Sequence, residues 1–259
     1  NGRALIAQAT WHNTPESRHE AAPEICPETG RVIAAWVRLD NRAELCAALR
    51  LEARETLTDP QIILAAHRAW GEACADRLEG DFSFVIHDPA RGETFAARDS
   101  VGAFPLSYYL DDTVFVVASS VPVLYGVLGA RLTQNPAWIA RYLALAEADP
   151  VMTPYTELRH LPRAHHLSVA ARGAAEPVEY FTFDGIEAAE ASAPSDHWVD
   201  AFAKHFERAV TRRLRSAHPV AAELSGGLDS GGILAVAAPH LMDRFGAVPT
   251  YGFGYYADD

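Results

Sequence analysis

Residues 219–230 read PVAAELSGGLDS, and this stretch decides how the second part of the chain folds. The apolar run Pro219–Leu224 predicts a short buried strand, and the paired glycines after it predict a turn. The apolar residues of Ile233–Met242 predict a helix, and Val248–Phe253 predicts a further strand. Strand, loop, helix and strand in this order are the start of a parallel α/β sheet.

The glycine-rich turn is suited to binding phosphate. Glycine lets backbone N–H groups approach phosphate oxygens without a Cβ in the way, and the following helix presents the positive end of its dipole. The hydroxyls of Ser225 and Ser230 are further donors, and the Asp229 carboxylate suits a Mg²⁺ ion that bridges phosphates. The candidate nucleotide-binding residues are Leu224, Ser225, Gly226, Gly227, Leu228, Asp229, Ser230 and Phe253, with Asp229 as the candidate metal ligand.

The motif is not the Walker loop, which requires Gly-Lys-Ser/Thr. Its Ser-Gly-Gly-x-Asp-Ser form, over Ser225–Ser230, resembles the PP-loop of N-type ATP pyrophosphatases. That resemblance implies that ATP is cleaved between the α- and β-phosphates while a substrate carboxylate is activated as an acyl-adenylate. Gly252–Gly254, with Phe253 between the two glycines, lie at the end of the second predicted strand, where the base or ribose of a nucleotide would lie, although an ordinary strand end explains them equally well.

A Ser/His/Asp hydrolase is a rival interpretation. Asp229-Ser230-Gly231-Gly232 resembles the nucleophile segment of trypsin-like serine proteases, and Ala65-Ala66-His67 resembles their histidine segment. The context argues against it, because His67 lies in a helical apolar pattern and the residues after Ser230 also predict a helix rather than a barrel strand.

Bulk composition excludes several classes of protein. The 259 residues have a formal net charge of -12, which argues against binding nucleic acid or an anionic membrane. No apolar run approaches the roughly 20 residues of a membrane span, and no signal peptide is recognisable, so a cytoplasmic location is expected. The cysteines Cys26, Cys46 and Cys74 lack metal-ligand spacing and predict neither a disulfide framework nor a zinc site.

The first part of the chain predicts a mixed α/β domain. Predicted strands include Arg31–Leu39, and hairpins are expected from Asp81–His87 with Glu93–Ala97 and from Leu106–Leu110 with Val114–Ala118. The remaining predicted elements are helices over Arg42–Arg50, from Thr58 to about Trp70, and over Pro136–Ala148, and late strands over His166–Ala170 and Val178–Phe183. Residues 185–195 lose the apolar pattern and are interpreted as a linker, after which Trp198, Phe202 and Phe206 form the apolar stripe of a helix.

Several segments, in order, resemble landmarks of the asparagine synthetase family. They are Arg38–Leu45, Trp70-Gly71, Leu78–Phe84, Arg98–Tyr109 and Leu158–Leu167, although a Pro-Gly is usual where Arg163-Ala164 stand. The resemblance implies an N-terminal Ntn-hydrolase-like αββα sandwich over residues 1–184 and, over residues 196–259, the start of a parallel α/β PP-loop ATP pyrophosphatase domain. It also implies ATP and Mg²⁺ as cofactors.

The glutaminase of that family uses an N-terminal cysteine, whose α-amine serves as the base, and Asn1-Gly2-Arg3 offers none. The family's Asn-Gly oxyanion segment is also absent near Val37-Arg38-Leu39. We therefore expect a first domain that acts as a scaffold. Within the family the chain resembles the lasso-peptide macrocyclases most, which implies a precursor peptide as substrate, with a leader-peptide-binding protein and a cysteine protease as partners.

The resemblance also implies a late catalytic lysine. Lys204 precedes the loop on a predicted amphipathic helix, so the expected lysine would lie beyond Asp259, and the 259 residues are interpreted as part of a longer protein. The role of Asp258 and Asp259 is left open between a solvated loop and a peptide site. The function expected is isopeptide macrocyclisation, with asparagine synthesis or β-lactam closure as alternatives, and a non-catalytic nucleotide- or peptide-binding module as an alternative of another class.

Overall fold

A computed structural model describes residues 4–170, 175–183 and 195–252. The α-helices are α1 (Arg42–Leu49), α2 (Asp59–Trp70), α3 (Val121–Leu128), α4 (Pro136–Leu143), α5 (Ser195–Arg213) and α6 (Leu228–Phe245). The strands are β1 (Glu24–Ile25), β2 (Val32–Leu39), β3 (Gly80–Asp88), β4 (Glu93–Arg98), β5 (Ser107–Leu110), β6 (Phe115–Ala118), β7 (Arg159–His160), β8 (His165–Val169), β9 (Val178–Glu179), β10 (Ala222–Glu223) and β11 (Thr250–Tyr251). The predicted linker falls almost entirely outside the described residues.

The chain divides into two compact units. The first unit comprises residues 1–10 and 19–184, and the second comprises residues 11–18 and 185–259. Trp11–Arg18 thus belong to the second unit, and the sequence-based domain boundaries of residues 1–184 and 196–259 stay a prediction. Hydrophobic patterning cannot reveal such an excursion, because these eight residues are held there mainly by polar contacts.

Two antiparallel sheets form the centre of the first unit. One has six strands in the order β1-β2-β3-β4-β8-β9, and the other has three in the order β6-β5-β7. Both predicted hairpins are confirmed, since β3 pairs with β4 and β5 pairs with β6. The predicted late strand Val178–Phe183 is reduced to the two residues of β9.

Side-chain alternation along the strands produces four layers. Phe82, Phe84 and Ile86 of β3 point to one face of the large sheet and pack in a buried cluster with α1 and α2. Val85, between them, faces a second cluster that includes Tyr108 of β5 and thus lies between the two sheets. The order helix, sheet, sheet is therefore dictated by the two-residue period of the strands.

The fourth layer is α3. Leu124 and Leu128 pack against Tyr109 of β5 and Val116 of β6, on the face of the small sheet that points away from the large sheet. The predicted αββα sandwich is thereby confirmed.

Local signals explain where α2 begins. The Thr58 side chain accepts from the backbone N–H of Gln61, and the Gln61 side chain accepts from the Thr58 N–H, which completes a capping box. Asp59 in the first turn is buried, accepts from the Leu39 backbone N–H at 2.9 Å and pairs with Arg42. These contacts fix the helix layer against β2.

The predicted helix over Pro136–Ala148 is too long. Helix α4 ends at Leu143, and Leu145 takes a left-handed backbone with φ of 51°. The Arg141 side chain donates to the Glu147 carbonyl, and the Ala146 N–H donates to the Arg141 carbonyl. These bonds satisfy the end of the helix in a left-handed turn, which the apolar pattern of the sequence did not reveal.

The second unit is smaller and thinly packed. Strands β10 and β11 pair in parallel, as predicted, and α5 packs on α6 around Val210, Ala237 and Leu241. The prediction of a buried strand was wrong, because Glu223 is exposed and Ala222 is only half-buried. A sheet of two strands has few neighbours that can cover it. None of the helices within the described residues is both long and apolar enough to cross a bilayer.

Candidate functional site

The candidate nucleotide loop connects β10 to α6 in the second unit. The Leu224 N–H donates to the Tyr251 carbonyl at 2.8 Å, which extends the parallel ladder one residue beyond β10. The chain then turns through Ser225, Gly226 and Gly227, and α6 begins at Leu228. The loop is therefore at the carboxyl end of a parallel strand and the amino end of a helix, where α/β folds bind anions.

The two glycines have different structural roles. Gly226 has φ of +82°, a left-handed conformation that favours glycine, and a Cβ there would meet nothing within 4 Å. Gly227 is the N-cap of α6, with φ of −84° and ψ of 165°, and has no capping side chain. Gly226 is thus required by the backbone, and the space around it is open to a ligand.

Four backbone N–H groups at this turn have no acceptor within the part of the chain that the structure describes. They belong to Gly226, Leu228, Asp229 and Ser230, whereas the Gly231 N–H donates to the Gly227 carbonyl at 3.2 Å. Unpaired amides at the start of an 18-residue helix carry partial positive charge. Ser225 to Asp229 are exposed, so these amides are accessible to an anion.

The two loop serines are joined to each other. Ser225 Oγ and Ser230 Oγ lie 3.1 Å apart, and the Ser225 N–H donates to Ser230 Oγ at 3.3 Å. Ser230 Oγ donates to the Gly227 carbonyl at 3.3 Å, and the Gly227 N–H donates to Ser225 Oγ at 3.3 Å. The hydroxyl pair closes the base of the loop and holds its shape.

Asp229 and Leu228 are on the solvent side of the first helical turn. Leu228 is 94% exposed, and Asp229 is also exposed. Within the described residues no three His, Cys, Asp or Glu side chains cluster as a metal site. A Mg²⁺ ion at Asp229 would take its other ligands from phosphate oxygens and water, which is the usual arrangement for this ion.

The glycine at the end of β11 also shapes the loop. A Cβ on Gly252 would lie 2.4 Å from the Leu224 carbonyl oxygen, so only glycine permits this close approach of the two strands. Sequence reasoning missed this role, since the contact depends on the pairing of two strands. Phe253, Asp258 and Asp259 lie outside the described residues, and the proposed role of Phe253 remains a prediction.

The residues of the rival hydrolase do not have the required context. Ser230 lies in the first turn of α6, and among the described residues its hydroxyl bonds only to other atoms of the loop. His67 is on α2 in the first unit, where its ring packs 5.0 Å from Phe95 and Arg31 lies 3.3 Å from its Nδ1. Burial, with the Arg31 charge, lowers the pKa of His67 to about 4. His67 is thus a histidine at the edge of the core, as its helical pattern indicated.

Two of the internal cysteines, Cys46 and Cys74, are poor nucleophiles. Cys74 is fully buried, and burial raises its pKa to about 12; burial also raises the pKa of Cys46. A raised pKa depletes the reactive thiolate. Cys26 is half-buried, and its thiol lies 3.0 Å from the Glu28 carboxylate.

Asn41 has a structural role. Its side-chain amide donates to the Arg77 carbonyl at 2.9 Å and accepts from the Glu79 N–H at 3.0 Å.

The landmark Arg98-Asp99 of the first unit is also structural. Asp99 is buried and accepts from three successive N–H groups, of Val101, Gly102 and Ala103, at 2.6–3.0 Å. Arg98 donates to the carbonyls of Phe104, Leu161 and Gly102 at 2.8–2.9 Å. A cavity of about 500 Å³ lies beside this loop, with Arg98 in its wall. Since each of the three guanidinium nitrogens of Arg98 donates to a carbonyl, Arg98 holds the wall together.

Sequence profiles of two domain families match the chain. The glutamine amidotransferase domain matches residues 31–181, which is more than half of the chain, and asparagine synthase matches residues 201–259.

Individual relatives agree with these matches. The chain is 29% identical over 229 residues to the glutamine-hydrolysing asparagine synthetase 3 of Bacillus subtilis (strain 168), covering 85% of this chain and 36% of that protein. It is 28% identical over 221 residues to the glutamine-hydrolysing asparagine synthetase of Zea mays, covering 78% of this chain and 29% of that protein. The chain thus spans about a third of the length of these relatives.

A solved structure of glutamine phosphoribosylpyrophosphate amidotransferase from B. subtilis, in complex with ADP and GMP, superposes with a TM-score of 0.43 at 16% identity. The superposition covers 87% of this chain and 46% of the amidotransferase chain. The sequence matches to both domain families, in this order along the chain, decide the assignment: the chain belongs to the asparagine synthetase family.

Proposed function

We propose that the protein forms amide bonds with ATP, by activating a carboxylate as an acyl-adenylate. The observation that carries the proposal is the set of N–H groups at Gly226, Leu228, Asp229 and Ser230 that have no acceptor among the described residues, in a turn whose residues 225–229 are exposed. Such a turn binds the terminal phosphates of a nucleotide through backbone donors and the helix dipole.

The loop residues have different roles in nucleotide binding. Gly226 provides the left-handed turn and an unobstructed approach, and Ser225 and Ser230 maintain the loop and offer hydroxyl donors. The Asp229 carboxylate would hold Mg²⁺ against the phosphates. ATP supplies the leaving group, because pyrophosphate departs when the carboxylate attacks the α-phosphorus. The chain's own contribution is to position the phosphates and to neutralise their charge.

The finer proposal is that the amine comes from the substrate itself, as in isopeptide macrocyclisation of a lasso precursor peptide. The stretch Val37-Arg38-Leu39, where the glutaminases of the family carry an Asn-Gly pair, supports it. On this proposal the substrate is a precursor peptide, and a leader-peptide-binding protein and a cysteine protease are partners.

The first test is pyrophosphate release from ATP and Mg²⁺ by the intact protein. Asp229→Asn should reduce the rate at least about 100-fold, the size of loss typical for removing a group that stabilises transition-state charge. Asp243→Asn is the matched control, because Asp243 is an exposed aspartate on the same helix. Equal activity of the wild-type protein and Asp229→Asn would contradict the assignment of Asp229.

A second test separates the candidate reactions. Macrocyclisation predicts that pyrophosphate release depends on a precursor peptide and produces a peptide lighter by one water molecule. Asparagine synthesis predicts dependence on free aspartate and ammonia instead. Release with aspartate and ammonia but with no peptide would replace the macrocyclase proposal and leave the ligase proposal standing.

A further inference from the structure

Eight residues near the start of the chain leave the first unit and join the second. We call Trp11–Arg18 the N-terminal strap. Just before it, the Gln8 side chain bonds to the backbone of Ala35 in β2, donating at 3.1 Å and accepting at 3.0 Å. Residues on both sides of the strap, up to Thr10 and from His19 onward, belong to the first unit.

The strap has a defined internal structure. The Ser17 N–H donates to the Thr14 carbonyl at 3.2 Å, and the Ser17 hydroxyl donates to the same carbonyl at 2.7 Å. His12 Nδ1 lies 2.6 Å from the Ser17 carbonyl oxygen. Thr14 and Ser17 are buried. The strap is therefore a compact turn with a fixed shape.

The strap contacts the segment that leads from α5 to β10. The Ala217 N–H donates to the Asn13 carbonyl at 2.8 Å. Arg215 pairs with Glu16 at 2.7 Å, and both side chains are mostly buried, with 19% and 15% exposed. Removing one member of a shielded ion pair leaves the other charge poorly solvated, so this pair resists being broken.

Helix α6 holds the same segment independently. Arg244, in its last turn, donates to the Ser216 carbonyl at 2.6 Å and to the Leu214 carbonyl at 3.3 Å. Residues 214–218 are thus fixed by α6 and by the strap. Four residues further on, β10 begins at Ala222, and the nucleotide loop follows directly.

We propose that the strap positions the nucleotide loop, with Glu16 as the positioning residue that acts through Arg215. The second unit has a small core, so contacts that fix residues 214–218 have a large share in fixing β10 and the loop after it. A positioning role of this kind requires no glutamine hydrolysis. The proposal deepens the proposed function and rests on it for its nucleotide measurements.

The test compares Glu16→Gln with Glu207→Gln in the intact protein. Glu207 is an exposed residue of α5 in the same unit. Glu16→Gln should weaken binding of ATP–Mg²⁺ about tenfold, within the usual range of coupling between distant sites, and raise KM for ATP more than it lowers kcat. It should also speed hydrogen exchange of amides in residues 214–224 while amides of β3 keep their protection. Glu207→Gln should do neither.

Exchanging the two charges tests the same ion pair if Glu16→Gln folds poorly. The double variant Glu16→Arg with Arg215→Glu should recover nucleotide affinity relative to either single variant. Faster exchange in residues 214–224 with unchanged nucleotide affinity would overturn the proposal, as would equal behaviour of Glu16→Gln and Glu207→Gln. If the wild-type protein bound no nucleotide, the proposed function would fail and the positioning role with it; hydrogen exchange would then test only whether the strap fixes residues 214–218.

Discussion

The two units differ in how completely they bury their apolar side chains. In the first unit, sixteen buried residues form one cluster between the large sheet and its helices. In the second unit, the described core consists of Val210, Ala237 and Leu241, with partly buried neighbours. Apolar side chains there are exposed, as with Phe202 at 68% and Leu228 at 94%.

This contrast shows that the two units depend on different kinds of contact. The first unit is held by layered packing and by the buried Asp59 and Asp99. The second unit carries the candidate phosphate loop but derives less stability from burial. Its geometry should depend more on individual contacts, such as those of Gly252 and the N-terminal strap.

Truncating one aromatic side chain in each unit gives the largest expected difference. Phe84→Ala should destabilise the first unit by about 3–5 kcal/mol, because Phe84 is 1% exposed and its removal leaves a cavity. Phe202→Ala should change the stability of the second unit by less than about 0.5 kcal/mol. Chemical denaturation followed by hydrogen exchange resolves the two units. A large loss for Phe202→Ala would mean that its exposed face is covered in the intact protein.

A backbone substitution tests the second unit more directly. Gly252→Ala places a Cβ against the Leu224 carbonyl and should cost about 1–3 kcal/mol, because the β10–β11 pair must shift. Gly231→Ala is the matched control: it lies inside α6 with nothing within 4 Å of a Cβ, and alanine should add up to about 1 kcal/mol of helix stability. Thermal unfolding of the second unit measures both. The two substitutions should change the free energy of unfolding in opposite directions. A Gly252→Ala variant as stable as the wild-type protein would disprove the close approach of the strands.

Acid should weaken the first unit, by a smaller amount. Burial lowers the pKa of His67 to about 4, and burial also lowers the pKa values of His160 and His166. Between the ordinary pKa of about 6.5 and the folded pKa, the unfolded chain binds more protons. The contribution of these neutral histidines to the free energy of unfolding is therefore complete above about pH 6.5 and is lost as the pH falls towards 4. After allowance for solvent screening, His67 should account for about 1–2 kcal/mol.

The measurement is the free energy of unfolding of the first unit between pH 7.5 and pH 4. His67→Gln removes the titrating group, so its free energy of unfolding should fall by about 1–2 kcal/mol less than that of the wild-type protein over this pH range. An unchanged slope in this variant would show that His67 is not the source of the acid sensitivity.

Sequence reasoning predicted most of the first unit, because its signals are local. The Thr58 capping box, the strand alternation of Phe82, Phe84 and Ile86, and the turn between β5 and β6 each act over a few residues. Helix α4 was predicted too long because its end depends on the left-handed Leu145 and on a bond from Arg141. An apolar pattern contains neither signal.

In the candidate site, local sequence predicts the kind of ligand that the turn suits. Two glycines, two serines and an aspartate at fixed spacing predict a phosphate-binding turn, since that behaviour follows from local backbone geometry and residue type. The support of the turn depends on contacts that form only in the folded chain. The close approach at Gly252, the clamp of Arg244 on residues 214–218, and the Glu16–Arg215 pair join residues far apart in the chain. No local pattern encodes such pairings, because they exist only after the chain has folded.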